Sequence, residues 1–231
     1  MAELNSYIGF PTTDELRKHL NAFLEAAASG DKTAGDHFVT LIDTVTTEVI
    51  DALLLQTIEI AQLNSVSQKV INVCATTANK VSSALTAKIY RKAPLRELQE
   101  VANVWQGFLK NTNDDGSGEW YILTPIDENF AAEIDGILAD KGEANAYDPS
   151  DREYTISVYD RLIDVFIQQF FLEASNKVKM GGITKKMLNM GVDSVKTAIH
   201  AVLHKVVKKL EPVPLGSYIE HTAQFYIKLD H

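Results

Sequence analysis

Apolar residues recur every three or four positions along most of this chain, the spacing of one face of an α-helix. Thr12-Thr13-Asp14-Glu15 reads as a capping box, with the Thr12 hydroxyl accepting from the backbone near Glu15. Leu16, Leu20, Phe23 and Leu24 follow at helical spacing, and Ser29-Gly30 ends the helix, since glycine takes the left-handed conformation freely. A second helix is predicted from about Thr33 to Leu63, with Phe38, Leu41, Ile42, Val45, Val49, Leu53 and Ile60 as its stripe. From Val49 to Leu55 it is apolar nearly all round apart from Asp51, the mark of a central helix with neighbours on several sides. A third helix, about Val66 to Arg91, presents Val66, Val70, Val73, Val81, Leu85 and Ile89. Its many small residues, Ala75, Ala78 and Ser82 among them, let another helix axis come close. Ala93-Pro94 interrupts the pattern, and a fourth helix runs to about Lys110 with Leu98, Val101, Trp105 and Phe108 on its face.

Beyond Lys110 the pattern changes. Residues 111–118 form a polar, glycine-containing loop, the best boundary candidate in the chain. Residues 119–124 are aromatic and β-branched, which predicts a short strand. Asp127 reads as the cap of a helix to about Asp140, and 141–149 as a loop. Ser150-Asp151-Arg152-Glu153 reads as a second capping box, so Tyr154 to about Asn176 is taken as one helix. After Gly181-Gly182 the pattern predicts a short helical piece, a break at Gly191, and a helix from Val192 to Leu210 stopped by Pro212 and Pro214. The tail alternates apolar and polar residues, which predicts a strand over 217–229 paired with 119–124. The expected fold is therefore mostly α: a bundle of about six or seven helices carrying a small two-stranded antiparallel β element. A single domain over 1–231 is expected, with a division into 1–110 and 119–231 as the alternative.

Composition narrows the setting. The chain has 231 residues, 45% of them hydrophobic, enough for a sizeable core. Cys74 is its only cysteine, so no intrachain disulfide can form, and no signal-like segment opens the sequence. A reducing, cytoplasmic setting is the expectation. The apolar run Val165–Leu172 is broken by Gln168 and Gln169, far short of the roughly 20 residues a bilayer span needs.

The net charge of −9 is unevenly spread: −2 over residues 1–111, −12 over 112–176 and +5 over 177–231. Lys196, His200, His204 and Lys208 are spaced four apart and make a slanted ridge on one helix, with Lys205 and Lys209 beside it. This ridge is either a docking surface for an anion or an acidic partner, or the face that meets the acidic middle of the chain. The segment holds no arginine and no aromatic residues interleaved with its lysines, which counts against nucleic acid.

No motif names a chemistry. His200 and His204 lie one helical turn apart and could meet one metal ion, yet Ala201 stands where a zinc-protease helix needs glutamate. Nearby lysines would repel a cation, and a third ligand would have to come from afar, for example His221. They read as polar-face histidines, and no metal or cofactor is expected. Asp160 and Asp164, four apart, read as the polar stripe of their helix, and Cys74 as a small core residue. Asp51, in its apolar stretch, is expected to be partly buried, either paired with a lysine of the third helix such as Lys80 or Lys88, the favoured reading, or, with Trp105 and Trp120, lining a ligand pocket between helices. Two functions follow: a non-catalytic interaction or regulatory protein that binds a partner or itself, or a small-molecule binding protein or enzyme with an interhelical pocket.

Overall fold

The structure, a computed structural model, describes residues 4–113, 117–139 and 149–230. The chain is mostly helical, with eight helices among the described residues, two of them divided by a π turn into separately labelled parts, and a small four-stranded antiparallel sheet. Of the loop expected over 141–149, residues 141–148 lie outside the described residues and Pro149 is helical, while the side chain of Ser150, and with it the cap expected there, is also outside them.

The sheet is larger than expected because the chain opens on a strand the helical pattern does not show. β1 (Leu4–Pro11) pairs antiparallel with β3 (Trp120–Pro125) on one side and β4 (Tyr226–Asp230) on the other. β2 (Leu109–Asn111) adds to β3, giving the order β2-β3-β1-β4. Of the stretch expected as a loop over 111–118, Asn111 belongs to β2 and residues 114–116 lie outside the described residues, and the strand at 119–124 pairs with β1 rather than with the tail. One face of the sheet turns Ile8, Phe10 and Ile122 into the main core. The other face carries Tyr7, Leu123 and Leu229 in a small cluster of their own.

α1 (Asp14–Ser29) starts one residue later than the cap pattern implied. Its cap is Thr13, whose hydroxyl accepts from Leu16 N at 3.0 Å, while the Thr12 hydroxyl donates to the Trp120 carbonyl at 2.9 Å. Gly30 ends the helix at φ 80°. α2 (Ala34–Ile50) continues through a π-helical turn (Asp51–Leu55) into α3 (Gln56–Ile60), forming one long rod. α4 (Ser65–Tyr90) is capped by Asn64, whose side-chain oxygen accepts from Val66 N and Ser67 N. The face it buries is Ile71, Cys74, Ala75, Ala78 and Leu85, whereas Val66 and Val73 stand 73% and 60% exposed. Small residues, not the valines, set the buried face there, because neighbouring helices pack close.

α5 (Leu95–Phe108) leads into β2, and α6 (Glu128–Ala139) follows β3 with Asp127 accepting from Phe130 N. α7 (Pro149–Phe166) passes through a second π turn (Ile167–Leu172) into α8 (Glu173–Ser175). α9 (Gly182–Lys205) is continuous and Gly191 does not break it, and it ends at Lys205 rather than Leu210, followed by a 3₁₀ turn (Val207–Lys209). A Cβ at Gly191 would stand 2.3 Å from Leu85 Cδ1 and 3.1 Å from Val81 Cγ1, so its bare backbone is what seats α4 against α9.

The predicted tail strand is correct only at its end. Residues 212–222 form α10 (Pro212–Thr222), and only Tyr226–Asp230 is strand. Pro212 opens α10, as its fixed φ suits a first helical turn. Leu215, Tyr218, Ile219 and Thr222 are all buried, a helical spacing concealed within the alternation.

Candidate functional site

Two features meet at the contact of α7 with α9. The first is ionic. Lys208 Nζ lies 2.8 Å from Glu153 Oε1, and Lys196 Nζ lies 2.6 Å from Asp164 Oδ1. Between them, Asp160 stands against both histidines, with Oδ1 2.6 Å from His200 Nδ1 and Oδ2 3.0 Å from His204 Nε2. The pairs ascend α7 as they descend α9 and the 3₁₀ turn after it, so the two helices are antiparallel. The Lys208 ammonium holds the Glu153 carboxyl below the usual carboxylate range. Four of the six ridge residues thus meet carboxylates of α7. Lys205 and Lys209 are exposed, and neither forms an ion pair among the described residues. Arg161, also on α7, turns the other way to α6: it donates to Glu133 and Asp127 and lies over the Phe130 ring at 4.3 Å.

The second feature is apolar and lies on the inner side of the same two helices. A cavity of about 150 Å³ sits between α2, α4, α7 and α9, with Phe10 of β1 also against it. Ala78 and Leu85 of α4 face Val192 and Ile199 of α9 across it, and both π turns contribute to its wall, Leu53 from one and Phe170 and Phe171 from the other. Among the lining side chains only Thr46 and Ser82 are polar, and their hydroxyls are hydrogen-bonded to each other at 2.9 Å. No titratable side chain lines it, so it holds nothing able to move a proton. What it can do is bind.

The three residues proposed for a pocket do not converge. Asp51, expected to be partly buried, is exposed on the π turn and accepts from Gln56 Nε2 at 3.0 Å. The expectation failed because the turn carries an extra residue and rotates the carboxylate out to water. Trp105 is wholly buried among Phe38, Phe108 and Phe170, in an aromatic chain that links α5 to the second π turn. Trp120 is half-buried on β3, held through its carbonyl by Thr12. His221 also lies apart from the other histidines and donates from Nε2 to the Ala52 carbonyl at 2.7 Å. Cys74 is buried, and burial pushes its thiol up to about 11, which leaves it unreactive near neutral pH. Sequence reasoning missed the cavity, although Ala78, Ser82 and Gly191 were legible as small residues; nothing in the spacing shows that they face one another.

No helix among the described residues is long and apolar enough to cross a membrane. Set against known proteins, the chain matches no protein-family model, no curated protein and no solved structure.

Proposed function

We propose that this protein is a non-catalytic binding protein that holds a small apolar molecule between α2, α4, α7 and α9. The observation that carries the reading is the cavity: about 150 Å³, walled by aliphatic and aromatic side chains, with one hydroxyl pair as its polar feature. An apolar cavity of about this volume can accept a benzene-sized guest. The ligand class that fits is a ring or short aliphatic chain carrying at most one hydroxyl or carbonyl, which would join the Thr46–Ser82 pair. π turns recur at functional positions in helices, and both of those described border this cavity. The buried, inert Cys74 suits a reducing setting such as the cytoplasm.

The test is calorimetry and thermal shift with benzene, indole, heptane and 1-heptanol. A guest that binds only the folded state raises its stability, by about 2.7 kcal/mol at 100 times Kd. Heptanol should bind more tightly than heptane. Ala78→Leu, which fills the space from α4, should abolish binding without lowering the melting temperature. A panel in which no compound shifts the melting temperature sinks the reading.

A second reading, docking of an acidic partner protein, rests on a separate feature. Ile183, Met187 and Met190 stand 80%, 40% and 60% exposed at i, i+4 and i+7 on α9, with Lys185 and Lys186 beside them. Met187→Glu should then abolish co-elution with the partner or self-association in light scattering. A salt-insensitive monomer with no partner counts against it.

A further inference from the structure

We infer that Asp160, His200 and His204 form a site for a single divalent ion of the zinc class, clamping α7 to α9. The inference rests on their convergence. His200 and His204 follow one another by a helical turn, with ring centroids 6.3 Å apart and planes 27° from parallel. Each points one ring nitrogen, Nδ1 of His200 and Nε2 of His204, at the carboxylate of Asp160. One ring nitrogen of each histidine and one oxygen of Asp160 all lie within 4.8 Å of one another. Bonds of 2.0–2.1 Å to zinc put tetrahedral ligands roughly 3.4 Å apart. The nitrogen–oxygen separations of 2.6 and 3.0 Å would open and any wider spacing within the 4.8 Å set would close to admit the ion.

The chemistry of the donors is selective. Two imidazoles and one carboxylate suit zinc and its neighbours in the first transition row, while the oxygen-rich shells that calcium and magnesium require are not offered. Three protein ligands leave a fourth position for water. The site is reachable from solvent: the side chains of Asp160, His200 and His204 are 23%, 36% and 49% exposed. Of the flanking lysines, Lys205 is exposed and keeps its charge beside His204, while the two on the histidines' own ridge are neutralised. Lys196 is paired with Asp164 and Lys208 with Glu153, which leaves the Asp160 carboxylate as the uncompensated charge when both imidazoles are neutral. The role that follows is to fasten the α7–α9 wall on whose inner side the apolar cavity lies.

The experiment uses the full chain, free of any affinity tag and stripped with a chelator, titrated with zinc chloride by calorimetry. A parallel titration with Co²⁺ reads the visible absorption that a tetrahedral site produces. One ion per chain is expected, with a rise in melting temperature on loading. Asp160→Asn, His200→Ala and His204→Gln should each weaken binding at least about tenfold, given that loss of mere supporting groups already costs 10–100-fold. His221→Ala, remote from the trio, should bind as the unaltered chain does. Circular dichroism checks that each variant folds, and His204→Gln, at the most exposed position, keeps the test open if the others do not. The inference is overturned if the unaltered chain takes up no stoichiometric ion. It is equally overturned if His204→Gln binds as tightly as the unaltered chain, or if Co²⁺ gives no tetrahedral spectrum.

Discussion

Glycine matters at this protein's closest approaches, and each position has its own arithmetic. A Cβ on Gly9 would stand 1.9 Å from the Ile122 carbonyl oxygen, which is backbone and cannot swing aside. Gly9→Ala must therefore push β1 from β3, and a loss of at least about 2 kcal/mol is expected from overpacking of this kind. Gly136 of α6 has nothing within 4 Å of where its Cβ would be. Gly136→Ala should stabilise by about 0.5–1 kcal/mol, the ordinary gain of alanine over glycine in a helix. Urea midpoints of the two variants should move in opposite directions from that of the parent. At this scale little of the candidate site was legible. The histidine pair and the aspartate pair were each visible as residues four apart, but that one would meet the other was a matter of helix docking. Asp51 looked buried from its neighbours and is exposed, because a π turn cannot be read from hydrophobic spacing.

Helices α7 and α9 show how an element with a strong polar pattern finds its partner. The seam between them is made of partly exposed charges, and such pairs contribute modestly. Lys196 and Asp164 are 31% and 49% exposed, so a double-mutant cycle with Lys196→Ala and Asp164→Ala should return a coupling below about 1 kcal/mol. That coupling should shrink further as salt is raised. A salt-independent coupling well above that value would mean the pair is shielded from water. Holding α7 to α9 falls mainly to the apolar inner faces, Val192 and Val202 on α9 and Ile163 and Phe166 on α7. Element boundaries were legible where a cap or a glycine marks them, as at Gly30 and Asp127. They were not legible at Gly191, which looks like a break and is a close contact, or in 212–222. There Leu215, Tyr218, Ile219 and Thr222 obey helical spacing while the intervening residues feign alternation.

The whole molecule keeps several ionisable groups protonated in its core, and this sets its response to alkali. Burial raises the Cys74 thiol from 9.0 to about 11, and lifts the phenols of Tyr90 and Tyr218 far above their ordinary 10.0. In the unfolded chain these groups lose their protons near the ordinary values. The folded state then binds more protons than the unfolded one, so stability falls as pH rises. It is full below pH 9 and declines above it, with Cys74 ceasing to add to the loss beyond about 11 while the tyrosines continue. Melting temperatures measured from pH 8 to 11 should trace that decline, and a flat profile would contradict the burial of the three groups. Tyr218→Phe should flatten the upper part of the curve. The helical body, its long first elements, the strand at 119–124 and the separation of charge between the middle and the end of the chain were all determined by the sequence alone, since periodicity and composition are local properties. Tertiary structure decided the rest. It made a central strand of residues 4–11, whose partners lie more than 100 residues away, and set the lysine and histidine ridge on the acidic face of α7. It also left a cavity where bulky and small side chains from four helices fail to fill the space between them. Pairing, docking and packing voids depend on distances between residues far apart in the chain, and no reading of neighbours contains them.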